Sequence, residues 1–146
     1  MSKFILPSIF CLIMGLNLSA QTSEMLTPSN EWSLIYQKDG IDFYVKNEDC
    51  FFPNNKEPLV YSFMKMVNTT SKAVKVNCNF GLVFVEACVD CQNGESAFET
   101  KIPANSALEA SCENKISSLS RLVVNKNLKG GYEFRGVQLF NVKLIK

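Results

Sequence analysis

Six cysteines are the residues of this chain whose spacing and chemistry are most distinctive. Cys88 and Cys91 form a C-x-x-C pair directly after an apolar segment, and Cys50, Cys78 and Cys112 lie to either side of that pair. Thiols at this spacing form disulfides, exchange disulfides with other thiols or bind zinc. The compartment decides among these chemistries, because disulfides persist only in oxidising surroundings.

The first 20 residues indicate which compartment applies. Lys3 is followed by an apolar stretch over residues 4–16, and small residues end this segment at Leu18-Ser19-Ala20. This order predicts a secretory signal peptide over residues 1–20, cleaved after Ala20. The apolar stretch is shorter than the roughly 20 residues that a membrane-spanning helix needs. We therefore predict a secreted or periplasmic protein with no membrane span in its mature chain.

Removal of the signal peptide takes Cys11 with it and leaves five cysteines, an odd number. At least one of these five is then a free thiol or pairs with another chain. Cys78 is in phase with Val74, Val76 and Phe80 on one face of a predicted strand. Since a buried cysteine packs like a small apolar residue, we interpret Cys78 as a free buried thiol.

The other four cysteines are predicted to lie near one end of the fold and to form two disulfides. They are Cys50, Cys88, Cys91 and Cys112. We expect residues 82–87 and 97–102 to pair around the C-x-x-C loop, and residues 107–112 to fold back on the second of these strands. The strand that precedes Cys50 is expected to end at the same pole. Four cysteines permit three pairings, and all three stay open at this point.

Two alternative hypotheses use the same cysteines differently. C-x-x-C after an apolar strand resembles the active-site segment of thioredoxins, in which a helix N-terminus lowers the thiol pKa and supports redox exchange. Here Gln92-Asn93-Gly94 interrupts the chain and strand-like residues follow. Thiol–disulfide exchange at Cys88 and Cys91 is therefore the second hypothesis. A structural zinc site with four cysteine ligands is the third, because C-x-x-C is a common zinc-ligand spacing.

Composition narrows the classes of function. The chain has 146 residues, a formal net charge of +1 and no histidine. Imidazole chemistry is therefore excluded, and the balanced charge argues against a nucleic-acid-binding protein. We recognise no catalytic constellation and no cofactor or metal motif. The sequence thus favours a non-enzymatic binding or cell-envelope structural module whose partner is an unidentified protein or envelope component.

The mature chain is predicted to consist of about eight short strands. Segments 32–37 and 41–46 flank Asp39-Gly40, which is typical of a hairpin, and a second hairpin is predicted around Pro103–Ser106. The remaining strands are predicted at residues 59–67, 74–80, 82–87, 97–102, 107–112, 119–124 and 132–145. Regular turn signals and the lack of a helical period predict one all-β domain, an antiparallel immunoglobulin-like sandwich over residues 31–146 behind a flexible leader over residues 21–30.

Two further motifs lie in turns or loops. Phe51 and Phe52 follow Cys50 in a polar loop, where aromatic side chains are unfavourable unless they are covered. Either these rings cap the open end of the sandwich, or they form a partner-binding knob that the neighbouring disulfide holds rigid. Asn68-Thr69-Thr70 is a glycosylation sequon, which has meaning only in a eukaryotic secretory route.

Taken together, these motifs resemble those of uncharacterised small exported bacterial β-sandwich proteins. The shared features are Ala20-Gln21, the hairpin over residues 32–40, Cys50, the C-x-x-C pair, the turn over residues 103–106 and Cys112. The resemblance covers most of the mature chain and implies no known activity. It implies that Cys50, Cys88, Cys91 and Cys112 are the structural set and that Cys78 is an addition to it.

Overall fold

The computed structural model describes residues 22–91, 97–123 and 133–145; the predicted signal peptide over residues 1–20 lies outside them. Nine strands are present in the described chain. They are β1 (Ser33–Lys38), β2 (Ile41–Cys50), β3 (Leu59–Asn68), β4 (Val74–Phe84), β5 (Cys88–Val89), β6 (Phe98–Ile102), β7 (Ser106–Glu109), β8 (Ser120–Leu122) and β9 (Phe134–Ile145). The helical element among these residues is one 3-10 turn over Ser117–Leu119, so the predicted all-β class is confirmed.

The first sheet is an antiparallel meander of β1, β2 and β3 with two short strands on its far edge. Asp39 and Gly40 form the turn between β1 and β2 with φ of 49° and 79°, the left-handed conformation that a two-residue hairpin turn requires. Strands β7 and β8 lie end to end along β3, opposite residues 65–68 and 61–63 respectively. The predicted N-terminal hairpin is therefore present.

The second sheet is centred on β4. Strand β9 pairs along one edge of β4, while β6 pairs with residues 74–78 and β5 with residues 82–83 on the other edge. The sequence predicts two strands here, but residues 74–84 form one continuous strand. Gly81 does not turn the chain; a Cβ at this position would lie 2.6 Å from Cys91 Sγ and 2.9 Å from the Phe140 ring. Glycine is needed at position 81 because Cys91 and Phe140 pack too closely against the backbone to leave room for a Cβ atom.

The predicted hairpin around Pro103–Ser106 is wrong. Strand β6 belongs to the second sheet and β7 to the first, so the link between them crosses from one sheet to the other. The expected pairing of residues 82–87 with 97–102 is wrong as well, because β6 pairs with the beginning of β4. Turn residues show that the chain changes direction, whereas the sheet that the next strand joins depends on where its apolar face is buried.

The core lies between the two sheets. The strands alternate, so every second residue of the central strands points inward. The fully buried inward-facing side chains of the central strands include Ile41, Phe43, Val45, Met64, Met66, Val76, Cys78 and Phe80, with Val137 and Leu139 from β9. Interdigitation of these two apolar faces holds an antiparallel sandwich together, and the predicted all-β sandwich of two antiparallel sheets is confirmed.

The predicted flexible leader, as far as the structure describes it, is bound along β9. Leu26 N donates to Val137 O at 3.0 Å, and Val137 N donates back to Leu26 O at 2.8 Å. Ser23 N also donates to Leu139 O at 2.9 Å. This segment therefore extends the second sheet by pairing with the outer edge of β9, which protects that edge from other chains.

Asn68 joins the end of β3 to the link between the sheets. Its side chain is buried, and Nδ2 donates to the carbonyls of Lys72 at 2.8 Å, Ile102 at 3.2 Å and Pro103 at 2.9 Å. The Oδ1 atom accepts from Thr70 N at 2.9 Å. The amide nitrogen that glycosylation would modify is thus buried and fully engaged. Asn68 is a structural residue of the crossover, and its sequon has no accessible acceptor in the folded chain.

We expect Asn68→Ala to lower the free energy of unfolding by about 2–4 kcal/mol, because it leaves buried carbonyls without a donor. Asn68→Asp should be at least as destabilising, since its carboxylate would face the same carbonyl oxygens. The matched control is Asn54→Ala in an exposed loop, with an expected change within about 0.5 kcal/mol. Urea denaturation measures all three, and equal stability of the two alanine variants would contradict this role.

Candidate functional site

The five cysteines of the described residues form two disulfides and leave one thiol. Cys50 is bonded to Cys112 with a Cα–Cα distance of 5.4 Å, and Cys88 is bonded to Cys91 with a Cα–Cα distance of 5.6 Å. Cys78 is buried and free. Of the three pairings left open by the sequence, this is the one that closes a tight ring at C-x-x-C.

The two disulfides lie on different sheets. Cys50 ends a strand of the first sheet, whereas Cys88 begins a strand of the second. In the described part of the chain, no three His, Cys, Asp or Glu side chains converge as metal ligands. Both sulfur pairs are oxidised, so neither presents the thiolates that zinc requires.

The Cys50–Cys112 disulfide fixes a segment, residues 110–119, that we call the strap. The strap connects β7 and β8, which both lie on the same edge of β3. Cys50 belongs to β2 on the other side of β3, so the strap must cross β3 to reach it. Strand alternation places Cys50 on the face of the first sheet that points away from the core. The strap therefore covers this outer face.

A second, smaller apolar cluster lies under the strap. Tyr61 and Phe63 alternate outward on β3, and their rings stack at 5.7 Å. Phe52 meets Tyr61 edge-on at 6.3 Å, and Lys115 of the strap places its Nζ 3.6 Å from the Phe52 ring centroid and 4.5 Å from that of Tyr61. Phe63 is fully buried. Aromatic and cation–π contacts thus anchor the strap beside its disulfide.

The two predicted partner-binding residues have different environments. Phe52 is half-buried in the cluster under the strap, on the outer face of the first sheet. Phe51 is 79% exposed and is the most exposed large apolar side chain of the described residues. Its chain neighbours are the fully buried Cys50 and the packed Phe52. An exposed aromatic ring therefore projects from a backbone that is fixed on both sides.

The C-x-x-C ring lies on the edge of the second sheet. Cys88 pairs with Val83 in the short strand β5, and Asp90 within the ring has φ of 63°. Cys88 is exposed, whereas Cys91 is only 4% exposed. Since Cys88 begins a strand, the ring lacks the helix N-terminus that lowers a thiol pKa in thioredoxin-like enzymes.

Arg121 was not singled out by the sequence, but its side chain connects the ring to both sheets. Arg121 lies opposite Ser62 in the pairing of β8 with β3. Ser62 is in phase with the inward-facing Met64, so the side chain of Arg121 also points toward the interior. Its Nε lies 3.0 Å from Asp90 Oδ2 and 3.0 Å from Phe80 O. Residues 79–81 of β4 lie between the segments that pair with β6 and β5. The arginine thus donates to a carbonyl at a gap in the sheet edge.

The same guanidinium also holds the end of the strap. Arg121 Nη1 donates to the carbonyls of Ser117 at 2.9 Å and Ser120 at 3.0 Å. The side chain is 13% exposed, and this burial lowers the pKa of Arg121, while the carboxylate of Asp90 opposes the shift. One buried cation therefore links the C-x-x-C ring, β4 and the strap. Only tertiary contacts identify it, since its sequence neighbourhood has no special pattern.

Cys78 lies on the inward face of β4. Burial raises the pKa of the Cys78 thiol to about 12, and Arg121 opposes the shift only in part. A thiol with this pKa holds almost no thiolate near neutral pH, and the thiolate is the reactive form. Cys78 is accordingly a packing residue of the core with low chemical reactivity.

Two shallow grooves flank the N-terminal segment. One of about 350 Å³ is lined by residues 22–24 and 34–37, and the other of about 360 Å³ by residues 28–30 and 47–49. Both exist because residues 22–30 dock against the two sheets. The sequence predicts a flexible leader there, so it gives no signal for either groove.

Comparisons of the chain with protein-family models, with characterised proteins and with solved structures find no match. No helix among the described residues has the length and apolar character to cross a membrane. The functional argument therefore depends on the geometry of the strap, Phe51 and the C-x-x-C ring.

We expect Arg121→Met to lower the free energy of unfolding by about 2–4 kcal/mol, because it removes a donor from several carbonyls and leaves Asp90 without its cation. Arg121→Lys should fall between this variant and the wild type, since one ammonium cannot reach all the acceptors. The control is Arg135→Met, which breaks an exposed pair with Glu133 and should change stability by less than about 1 kcal/mol. Similar losses in Arg121→Met and Arg135→Met would contradict the linking role.

We expect the free energy of unfolding to decrease between pH 9 and 11 partly through Cys78. Its pKa is about 12 in the folded chain against an ordinary value of 9.0, so over this range the unfolded chain releases the proton first. The protonated Cys78 thiol thus contributes to the free energy of unfolding in full below pH 9. This contribution decreases as the pH rises toward 12, by at most about 1.4 kcal/mol per pH unit. Urea denaturation of wild type and Cys78→Ala at several pH values measures this effect. The free energy of unfolding should decrease less steeply with pH in the variant, and equal slopes in the two proteins would refute the raised pKa of Cys78.

Proposed function

We propose that this protein is an exported, non-enzymatic β-sandwich that binds a protein or another component of the cell envelope through the surface around Phe51. The observation that carries this proposal is the 79% exposure of Phe51 on a fixed backbone. A partner that covers this ring would remove a large apolar surface from water, which favours binding. Aromatic residues are also the side chains that dominate the binding energy of protein interfaces.

Rigidity of the base supports this use of Phe51. Cys50 is fully buried and disulfide-bonded, and Phe52 packs against Tyr61 and under Lys115. Binding through a side chain on a fixed backbone loses less conformational entropy than binding through a mobile loop. Lys115 adds a positive charge over the ring of Phe52, the chain neighbour of Phe51, which suits a partner surface with an acidic or polar rim.

Export is supported by two kinds of observation. The first is the charged, apolar and small-residue order of residues 1–20. The second is the presence of two disulfides in a small domain, as is usual for secreted and periplasmic proteins. The architecture of two antiparallel sheets and the cysteine spacing support kinship with small exported bacterial β-sandwich proteins as a part of the same proposal.

Thiol–disulfide exchange is the second candidate function. The exposed position of Cys88 favours it, because an incoming thiol can reach this sulfur. The strand position of the ring, without a helix N-terminus beside it, is the reason we rank this candidate lower. A disulfide-reductase assay separates the two, because catalytic turnover that disappears in Cys88→Ala would overturn the non-enzymatic proposal.

The binding surface is tested by placing the photoreactive residue p-benzoylphenylalanine at position 51 of the exported protein in the native cell. We expect illumination to yield a discrete covalent adduct with one envelope component, because this side chain would be covered by the partner. The control carries the same photoreactive residue at Leu34, which is also exposed but lies on a different strand. Identical adducts from both positions, or none from position 51, would contradict the proposal.

A further inference from the structure

The two sulfur atoms of the C-x-x-C ring differ in accessibility. Cys88 is exposed, whereas Cys91 is 4% exposed and lies against β4. The contact is so close that a Cβ on Gly81 would come within 2.6 Å of Cys91 Sγ. A thiolate must reach the sulfur it attacks, so an incoming thiol has access to Cys88 and is excluded from Cys91.

We propose that Cys88 is a modification site for low-molecular-weight thiols, and that its reaction releases Asp90 from Arg121. This goes beyond the binding role at Phe51, because the ring would hold Asp90 against Arg121 only while its disulfide is intact. No catalytic turnover is involved, since each protein molecule reacts once with the thiol.

The chemical step is a thiol–disulfide exchange. The thiolate sulfur forms a bond to Cys88 Sγ, the Cys88–Cys91 bond breaks, and the electron pair leaves with Cys91, which takes a proton from solvent. The products are a mixed disulfide on Cys88 and a thiol on Cys91.

The surroundings of Cys91 favour the opened ring once it forms. Cys91 Sγ lies 3.5 Å from Val89 O and 4.0 Å from Leu82 O. Carbonyl oxygens accept a hydrogen bond from a thiol but repel a thiolate. The Cys91 thiol that exchange releases can donate to these carbonyls, and this contact slows its attack on the mixed disulfide, so that the modification on Cys88 persists.

Opening the ring acts on Arg121 through Asp90. Asp90 has φ of 63°, a left-handed conformation that is unfavourable for a residue other than glycine unless its surroundings impose it. The short ring supplies this constraint, and it holds the carboxylate 3.0 Å from Arg121 Nε. When the ring opens, the backbone of Asp90 relaxes and the buried cation loses its fixed counter-charge. The contacts of Arg121 with the strap are weakened as a result.

The Cys50–Cys112 disulfide is protected from the same thiols. Cys50 is fully buried, and the strap crosses the outer face of the sheet at this point. Cys112 is half-buried, so this bond is less accessible to an incoming thiol than the exposed Cys88. Modification of the folded protein is therefore selective for Cys88.

The site is tested by incubating the folded, oxidised protein with reduced glutathione, quenching with acid and mapping the products by peptide mass spectrometry. We expect one glutathione per chain, attached to Cys88, and Cys91 reactive toward N-ethylmaleimide only after unfolding. The Cys50–Cys112 disulfide should react at least about 10-fold more slowly than the Cys88–Cys91 disulfide. A first adduct on Cys91, or equal rates at both disulfides, would overturn the proposal.

The coupling to Arg121 is tested by comparing Tm before and after glutathione modification in wild type, Asp90→Asn and Glu86→Gln. Glu86 is an exposed carboxylate in the same hairpin, so Glu86→Gln controls for the change in charge. We expect modification to lower Tm by several degrees in wild type and Glu86→Gln, and by clearly less in Asp90→Asn, which has already lost the ion pair. An equal decrease in all three proteins, or none in wild type, would overturn the coupling.

Discussion

The positive charge of Arg121 lies between the two sheets, and its need for hydrogen-bond acceptors constrains how the C-x-x-C ring, β4 and the strap are arranged. A guanidinium between two sheets is tolerated only when acceptors surround it and a counter-charge is near. The fold supplies Phe80 O at a gap in the edge of β4, Asp90 from the C-x-x-C ring and carbonyls of the 3-10 turn. The short strands β5 and β8 are therefore held in place by one polar centre as much as by their few ladder hydrogen bonds.

The proposed binding surface and the thiol-sensitive ring are connected by contiguous contacts. Arg121 donates to the carbonyl of Ser117 at one end of the strap, and the strap is bonded through Cys112 to Cys50. Phe51 is the next residue along the chain. The strap thus lies between the two sites and contacts the elements that form both. Its own apolar cluster gives the outer face of the first sheet the rigidity that a sheet exposed to solvent would lack.

Local features could be predicted well from the sequence. Asp39-Gly40 marks the first turn, because glycine adopts the left-handed conformation without steric cost. Alternation of apolar residues places Cys78 on the buried face of β4. The errors concern partners distant in the chain: residues 97–102 pair with the start of β4, and residues 106–109 join the other sheet.

The sequence by itself therefore determined the strand-rich character, the first hairpin and the face on which Cys78 lies, because these follow from side-chain alternation and backbone preferences over a few residues. The tertiary structure alone decided the pairing of the cysteines, the docking of residues 22–29 on β9 and the position of Arg121. Each of these depends on which segments meet after two sheets pack, and that choice is made by long-range burial of apolar faces, which no short window of the sequence contains.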